Sequence, residues 1–270
     1  MAEAVDLSNL KNADISTDRP LQYRDRTLHY LPKESSILQT RISEVGQFCD
    51  IQQMIINPQK SKTAVFNTSI KRDFHPRLSN NNGGIFKNTE EFDLLGVNFV
   101  SHPRSGVKWD TYIQKCIKRG YANLWILKRL IEFGASFKDV LMTYCERVRV
   151  HVEMNVPLWS FSISKTLSNQ IEKLQKSAAY IMLPLLGPVV ISDYISIIDM
   201  MGLEELEKRR LTLCKTFATK MFQHPEHRKM FKLNGSNSTR SRRKVVVPQT
   251  KRQRYEKSSI PSLAKLINLG

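Results

Sequence analysis

Hydrophobic periodicity changes character near residue 105, and that change limits the architectures open to this chain. Beyond Trp109 the apolar residues recur at helical spacing: Trp109, Ile113, Cys116, Ile117, Gly120, Leu124, Leu127 and Ile131 form one stripe, and Lys115, Lys118, Arg119, Lys128 and Arg129 cover the remaining faces. Ser136, with Asp139 three residues on, is a variant capping box ahead of Phe137, Val140, Leu141, Tyr144, Val148 and Val152, and Pro157 closes that segment. A third helix carries Leu167, Ile171, Leu174, Ala178 and Ile181 before Pro184 and Gly187-Pro188 break it. A short helix from Tyr194 to Met201 follows, and Leu203, Leu206, Arg210, Leu213, Phe217 and Met221 define another that ends near His224-Pro225. Successive amphipathic helices of this kind read as a bundle.

Before Trp109 the pattern is mixed. Residues 1 to 33 are polar and without period. From Ser35 to Asp50, Leu38, Ile42, Val45 and Cys49 share one helical face. Met54-Ile55-Ile56 and Thr63-Ala64-Val65-Phe66 read as two strands joined by the turn Asn57-Pro58-Gln59-Lys60, and Ser79–Gly84 as a flexible loop. The run from Phe92 to Val100 suits a buried strand whose backbone comes close to a partner at Gly96. The expected fold class is therefore α+β: an irregular leader (1–33), a small hairpin-and-helix region (34–104), a helical bundle (105–231) and a basic tail (232–270). Between Lys232 and Lys257 apolar periodicity disappears while Arg240, Arg242, Arg243, Lys244, Lys251, Arg252, Arg254 and Lys257 accumulate against Glu256 alone, which predicts disorder in the free tail. The last segment, Ile260–Asn268, can dock as a short helix.

With 270 residues, 41% of them apolar, the chain can bury real cores, and 42 Lys plus Arg against 25 Asp plus Glu leave a formal charge of +17. That charge points to a polyanion, nucleic acid ahead of an anionic membrane. No run approaches the roughly 18 apolar residues of a spanning helix, and the polar, acidic N-terminus does not read as a secretory signal. An intracellular location is expected, with Ser241–Lys244 and Lys251–Arg254 serving nuclear import or nucleic-acid contact equally well. Cys49, Cys116, Cys145 and Cys214 sit singly at apolar helical positions without zinc spacing, so they read as reduced packing thiols. His224 and His227 flank a proline and read as helix-end histidines. No nucleophile–base pattern and no cofactor motif is found.

The Leu94-Leu95-Gly96-Val97 run followed by Trp109 and a basic helix resembles the primer-grip hairpin and first thumb helix of reverse transcriptases of non-LTR (LINE-like) retrotransposons. Asn57-Pro58-Gln59-Lys60-Ser61-Lys62 is similar to the Asn-x-x-Lys-Thr-Lys turn of the palm's fourth motif, with Ser61 for the usual Thr. Trp125–Leu130 with Phe133-Gly134, Val156-Pro157-Leu158-Trp159, Ile171–Lys176, Leu206–Arg210 with Leu213-Cys214, and Arg254-Tyr255 before Ile260-Pro261 match further blocks in order. The resemblance implies a palm remnant on a thumb-like bundle. It also implies nucleic-acid contacts at Lys60, Lys62, Leu95, Gly96, Lys115, Lys118 and Arg119, to which the tail adds Arg240, Arg242, Arg243, Lys244, Lys251, Arg252 and Arg254. Trp125 and Trp159 read as core anchors.

Polymerisation needs two close carboxylates to hold divalent metals. The family takes them from an aromatic-x-Asp-Asp turn and an earlier Asp, and this sequence has no Asp-Asp. Its isolated candidates are Asp73, Asp93 and Asp110. The expectation is a noncatalytic chain that binds duplex or hybrid nucleic acid through phosphates. The alternatives are a decayed reading frame, or an interaction subunit that completes a separately encoded palm.

Overall fold

The computed structural model describes residues 31–66, 77–102, 106–188, 193–234, 244–249 and 256–269. The fold is α+β and mostly helical. It divides into two compact units, the first with described residues 31–63 and 77–88, the second with 64–66 and the described residues from 89 onward.

In the first unit, α1 (Leu31–Ile51) is the expected helix, extended at its N-terminus. Its apolar face is only partly covered: Ile42 and Cys49 are half-buried, but Leu38 is 48% and Val45 54% exposed, and Ile37 and Ile51 are exposed as well. Polar groups help hold the unit together, beside the buried Leu78 and Phe86. The Gln39 side chain donates to Ser79 O at 2.8 Å and accepts from Ser79 N at 3.0 Å. Asn80, buried, accepts from Gly84 N at 2.6 Å and donates to Ile56 O at 3.1 Å. Ser79–Gly84 is therefore an Asn80-centred turn rather than a flexible loop, because one asparagine satisfies backbone groups on both sides of it.

The expected hairpin around Asn57 does not form. Met54–Ile56 is not a strand, and β1 (Lys62–Thr63) pairs in parallel with β2 (Lys87–Asn88). The turn itself is real: Asn57 Oδ1 accepts from Gln59 N at 2.9 Å, and Asn57 O accepts from both Ser61 N at 3.1 Å and Ser61 Oγ at 2.9 Å. Those bonds curl the chain through a near-helical turn, which does not set its flanks antiparallel.

The second unit opens with an antiparallel sheet of β3 (Glu91–Leu94), β4 (Val97–His102) and β5 (Gly106–Lys108) in sequence order. Helices follow: α2 (Asp110–Ala122), α3 (Leu124–Glu132), α4 (Phe137–Thr143), a π-helical turn (Tyr144–Arg149), α5 (Val150–Glu153), α6 (Val156–Trp159), α7 (Lys165–Met182), α8 (Tyr194–Met200), α9 (Leu206–Gln223), α10 (Pro225–Arg228) and α11 (Ser259–Leu269). Ser136 caps α4 by accepting from Asp139 N, as the capping box requires. Val140, Tyr144, Val148 and Val152 recur every four residues, a spacing that drifts by about 40° per step on an α-helix. The wider π turn absorbs the drift, and none of the four is more than 1% exposed. The helix ends at Glu153, ahead of the left-handed Asn155 (φ 56°), and not at Pro157, which lies in the first turn of α6.

The core is one continuous cluster centred on Trp159, Tyr144, Ile171, Leu174, Met182 and Leu206. On α9 the buried stripe is Leu206, Arg210, Cys214 and Ala218, while Phe217 is 39% exposed. The stripe is rotated from the expected one, and α11 packs against α9. Burial pushes the Cys214 thiol up to about 11. Cys116 is also buried, Cys49 and Cys145 are half-buried, and all four are free.

The tail is not simply disordered. Leu233 and Val245 form an antiparallel bridge, and Val245 is fully buried. Asn268 brackets it, donating to Val245 O at 2.9 Å and accepting from Val245 N at 3.0 Å. Helix α11 buries Pro261, Leu263, Ala264, Leu266 and Ile267. A single bridge and a reciprocal asparagine leave no periodicity to read in a sequence.

Candidate nucleic-acid interface

The register Leu94↔Val97 leaves a two-residue loop, Leu95-Gly96, at the tip of the β3–β4 hairpin. Both residues have positive φ, 49° and 79°, as a type I′ turn demands. Phe92–Val100 is thus two strands and a turn, a hairpin as the resemblance implied, and not the one buried strand that the apolar run suggested by itself. Nothing among the described residues lies within 4 Å of a Cβ placed on Gly96, so its φ alone explains the glycine. Leu95 is the anomaly: a leucine in the left-handed region costs about 1–2 kcal/mol relative to glycine, and here it is 93% exposed, with nothing to repay the strain.

An aromatic ladder couples this hairpin to α2. Phe66 lies 5.9 Å from Phe92, Phe92 stacks on Phe99 at 5.3 Å, Phe99 meets Trp109 at 5.5 Å and Trp109 meets Tyr112 at 6.3 Å between ring centroids. Asn98, buried beneath the hairpin, donates to Glu91 Oε1 at 2.8 Å and to Asp93 Oδ1 at 2.9 Å. The position of the tip is therefore set by the start of the helix.

Helix α2 buries Tyr112, Ile113, Cys116, Ile117 and Gly120. Gly120 allows α7 to approach, since a Cβ there would sit 2.4 Å from Leu174 Cδ2. The opposite face is cationic. Between Asp110 and Glu132 the chain has Lys115, Lys118, Arg119, Lys128 and Arg129 and no acid. Lys115 is partly engaged, with Nζ 3.5 Å from Glu91 Oε1. Arg129 pairs with Glu132 at 2.7 Å. Lys118, Arg119 and Lys128 are exposed.

Asn123 joins α2 to α3 with near-helical dihedrals (φ −90°, ψ −6°), and its side chain donates to Arg147 O at 2.8 Å and meets His151 Nε2 at 2.9 Å. Burial, aided by the Arg119 charge, holds His151 below the usual imidazole value, which favours the neutral ring as acceptor. The junction thereby fixes the direction of α3. Trp125, expected in the core, is 61% exposed on that helix, whereas Trp159 is 1% exposed. The difference is register: Leu124 and Leu127 take the buried positions of α3.

Comparison with protein-family models, curated proteins and solved structures gives no match.

The remaining expected contacts divide. Lys60 and Lys62 are exposed and belong to the first unit, while Lys115, Lys118, Arg119 and the Leu95-Gly96 tip belong to the second. Lys244 is exposed beside the Leu233–Val245 bridge. Arg240, Arg242, Arg243, Lys251, Arg252 and Arg254 lie outside the described residues, as does Asp73. Asp93 accepts from Asn98, and Asp110 stands in the first turn of α2. Among the described residues no group of His, Cys, Asp and Glu is arranged to hold a metal ion, and no helix is long and apolar enough to cross a membrane.

Sequence reasoning also missed a buried polar network. Gln175, fully buried on α7, accepts from Tyr144 OH at 2.7 Å and donates to Tyr194 OH and Glu204 O, both at 3.0 Å. Tyr194 OH donates to Glu172 Oε1 at 2.5 Å, and Glu172 Oε2 accepts from Leu206 N at the start of α9. Burial outweighs these bonds and raises the Glu172 carboxyl above the ordinary carboxylate range. The signal was present: Glu172 and Gln175 are polar residues three apart, beside the apolar stripe Ile171, Leu174 and Ala178.

Proposed function

We propose that this chain is a C-terminal region of a non-LTR retrotransposon reverse transcriptase, a palm remnant followed by a thumb-like bundle, that grips duplex or hybrid nucleic acid by its phosphates and does not itself polymerise. The observation that supports it most is the exposed, strained Leu95-Gly96 tip standing directly ahead of a helix on which Lys118 and Arg119 are exposed. Strain without a packing benefit is the pattern expected where a tip meets a ligand. Phosphate neutralisation supplies the affinity, so the contacts carry no sequence preference.

A DNA–RNA hybrid duplex titrated over a range of salt tests this. Six phosphate contacts predict a slope of roughly −0.9 each, a loss of about a thousandfold between 50 and 200 mM salt. A flat dependence rejects the proposal. In the same titration Leu95→Asn, which suits a type I′ turn, is expected to raise stability by about 1 kcal/mol while weakening hybrid binding. If stability rises and affinity is unchanged, the tip has no part in binding.

The exposure of Ile37, Leu38, Val45 and Ile51 on α1 favours a second reading for the first unit, that a separately encoded palm polypeptide completes it. Primer extension by the co-expressed pair, absent from either alone, is its test.

A further inference from the structure

On α2 and α3 the exposed residues are not all alike. Trp125 lies in the first turn of α3, with Lys128 three residues after it and Arg129 four after, spacings that share one helical face, while Lys118 and Tyr121 are exposed near the end of α2, joined to α3 through the near-helical Asn123. Tyr121 is 41% exposed and Phe133, one turn beyond Arg129, is 85% exposed. Leu124 and Leu127 are buried and Ile126, Leu130 and Ile131 half-buried on this helix, so a tryptophan open to solvent to this degree has no packing role to explain it. Its surroundings along the chain are those of an anion site, since from Thr111 to Phe133 the sequence has one acid, Glu132, which pairs with Arg129.

We propose that Trp125 stacks an unpaired base of single-stranded nucleic acid while Lys118 and Lys128 contact the flanking phosphates. This rests on the phosphate-binding reading above and adds a ligand class to it. A duplex offers this helix phosphates only, its bases being stacked on one another. A single strand offers a free π-face as well, and an exposed indole between cations recognises that combination. A second copy of this chain fits less well, because the same basic face would meet itself with like charges opposed.

The protein has three tryptophans, and Trp109 and Trp159 are buried, so quenching of intrinsic fluorescence by a ligand reads Trp125. The full chain is titrated with oligo(dT) and with a blunt DNA duplex of equal phosphate number, as wild type and as Trp125→Leu, Trp125→Phe and the Lys118→Gln/Lys128→Gln double variant. The exposed position keeps all of these folded, which circular dichroism checks. Oligo(dT) is expected to quench the wild-type fluorescence, and Trp125→Leu, whose affinities are read from the anisotropy of fluorescein-labelled oligo(dT) and duplex, to bind oligo(dT) about tenfold more weakly with duplex affinity unchanged. Trp125→Phe recovers most of the loss, and the lysine variant weakens both ligands. Salt-sensitive binding of both ligands that is indifferent to Trp125→Leu overturns the stacking proposal and leaves phosphate binding standing. Binding of neither ligand overturns both. Equal loss of both ligands, or a change of oligomeric state in Trp125→Leu, assigns Trp125 to another role and overturns the proposal.

Discussion

Replacing Trp159 by alanine is expected to destabilise the second unit by about 4 kcal/mol, within the range of about 3–5 kcal/mol typical of buried aromatic truncations. Trp159 is 1% exposed, and its Nε1 donates to Met154 O at 3.0 Å. The Arg210 guanidinium lies 6.0 Å from its ring centroid and donates from Nη2 to Ser168 Oγ at 2.6 Å. Arg210 is itself buried, and its Nε and Nη1 have no hydrogen-bond partner among the described residues. Truncation therefore removes aromatic contacts from a buried charge as well as opening a cavity, two costs that act in the same direction. Against a typical total of 5–15 kcal/mol the loss is severe. Urea denaturation should show the midpoint falling sharply with the slope unchanged. Trp159→Phe should lose much less. A midpoint within experimental error of wild type for Trp159→Ala would contradict the burial described here.

Gln175→Leu is the second large effect, about 3 kcal/mol. Leucine fills most of the volume but leaves the Tyr144 hydroxyl without its acceptor and Glu204 O without a donor, each orphaned group costing about 1–3 kcal/mol. A double-mutant cycle identifies the cause. Adding Tyr144→Phe removes one orphan, so the double variant should be less destabilised than the sum of the single variants, with a coupling of about 1 kcal/mol. Strict additivity would mean that the two side chains do not interact. The same network carries a pH dependence of defined sign. Glu172 has a raised folded value, so the folded state holds more protons, and stability falls as pH rises from the unfolded value through the folded one.

Much of this architecture was legible from residue patterns. The helices α1, α2, α4, α7, α8 and α9 follow from apolar residues at 3.6-residue spacing and from the Ser136 cap, because those signals are local and each helix satisfies its own backbone. The Asn57 turn was legible for the same reason, its bonds lying within five residues. The partner of β1 was not, since β1 and β2 are too short to carry a pattern and their pairing spans an intervening segment. The basic surface of α2 was visible from composition, but the exposed tryptophan on α3 was not. Trp125 and Trp159 look alike in sequence, and only packing made one a core anchor and the other a surface group.

What the sequence by itself determined is the order of elements, the basic helix and the Leu95-Gly96 run ahead of it, all consequences of short-range periodicity and charge. Tertiary structure decided that the tip of the hairpin holds a strained leucine, that Asn98, Gln175 and Arg210 are buried, and that the tail docks through Val245 and α11. Each of those depends on groups distant in sequence meeting in space, where desolvation decides which polar atoms must be paired and which apolar ones stay in water.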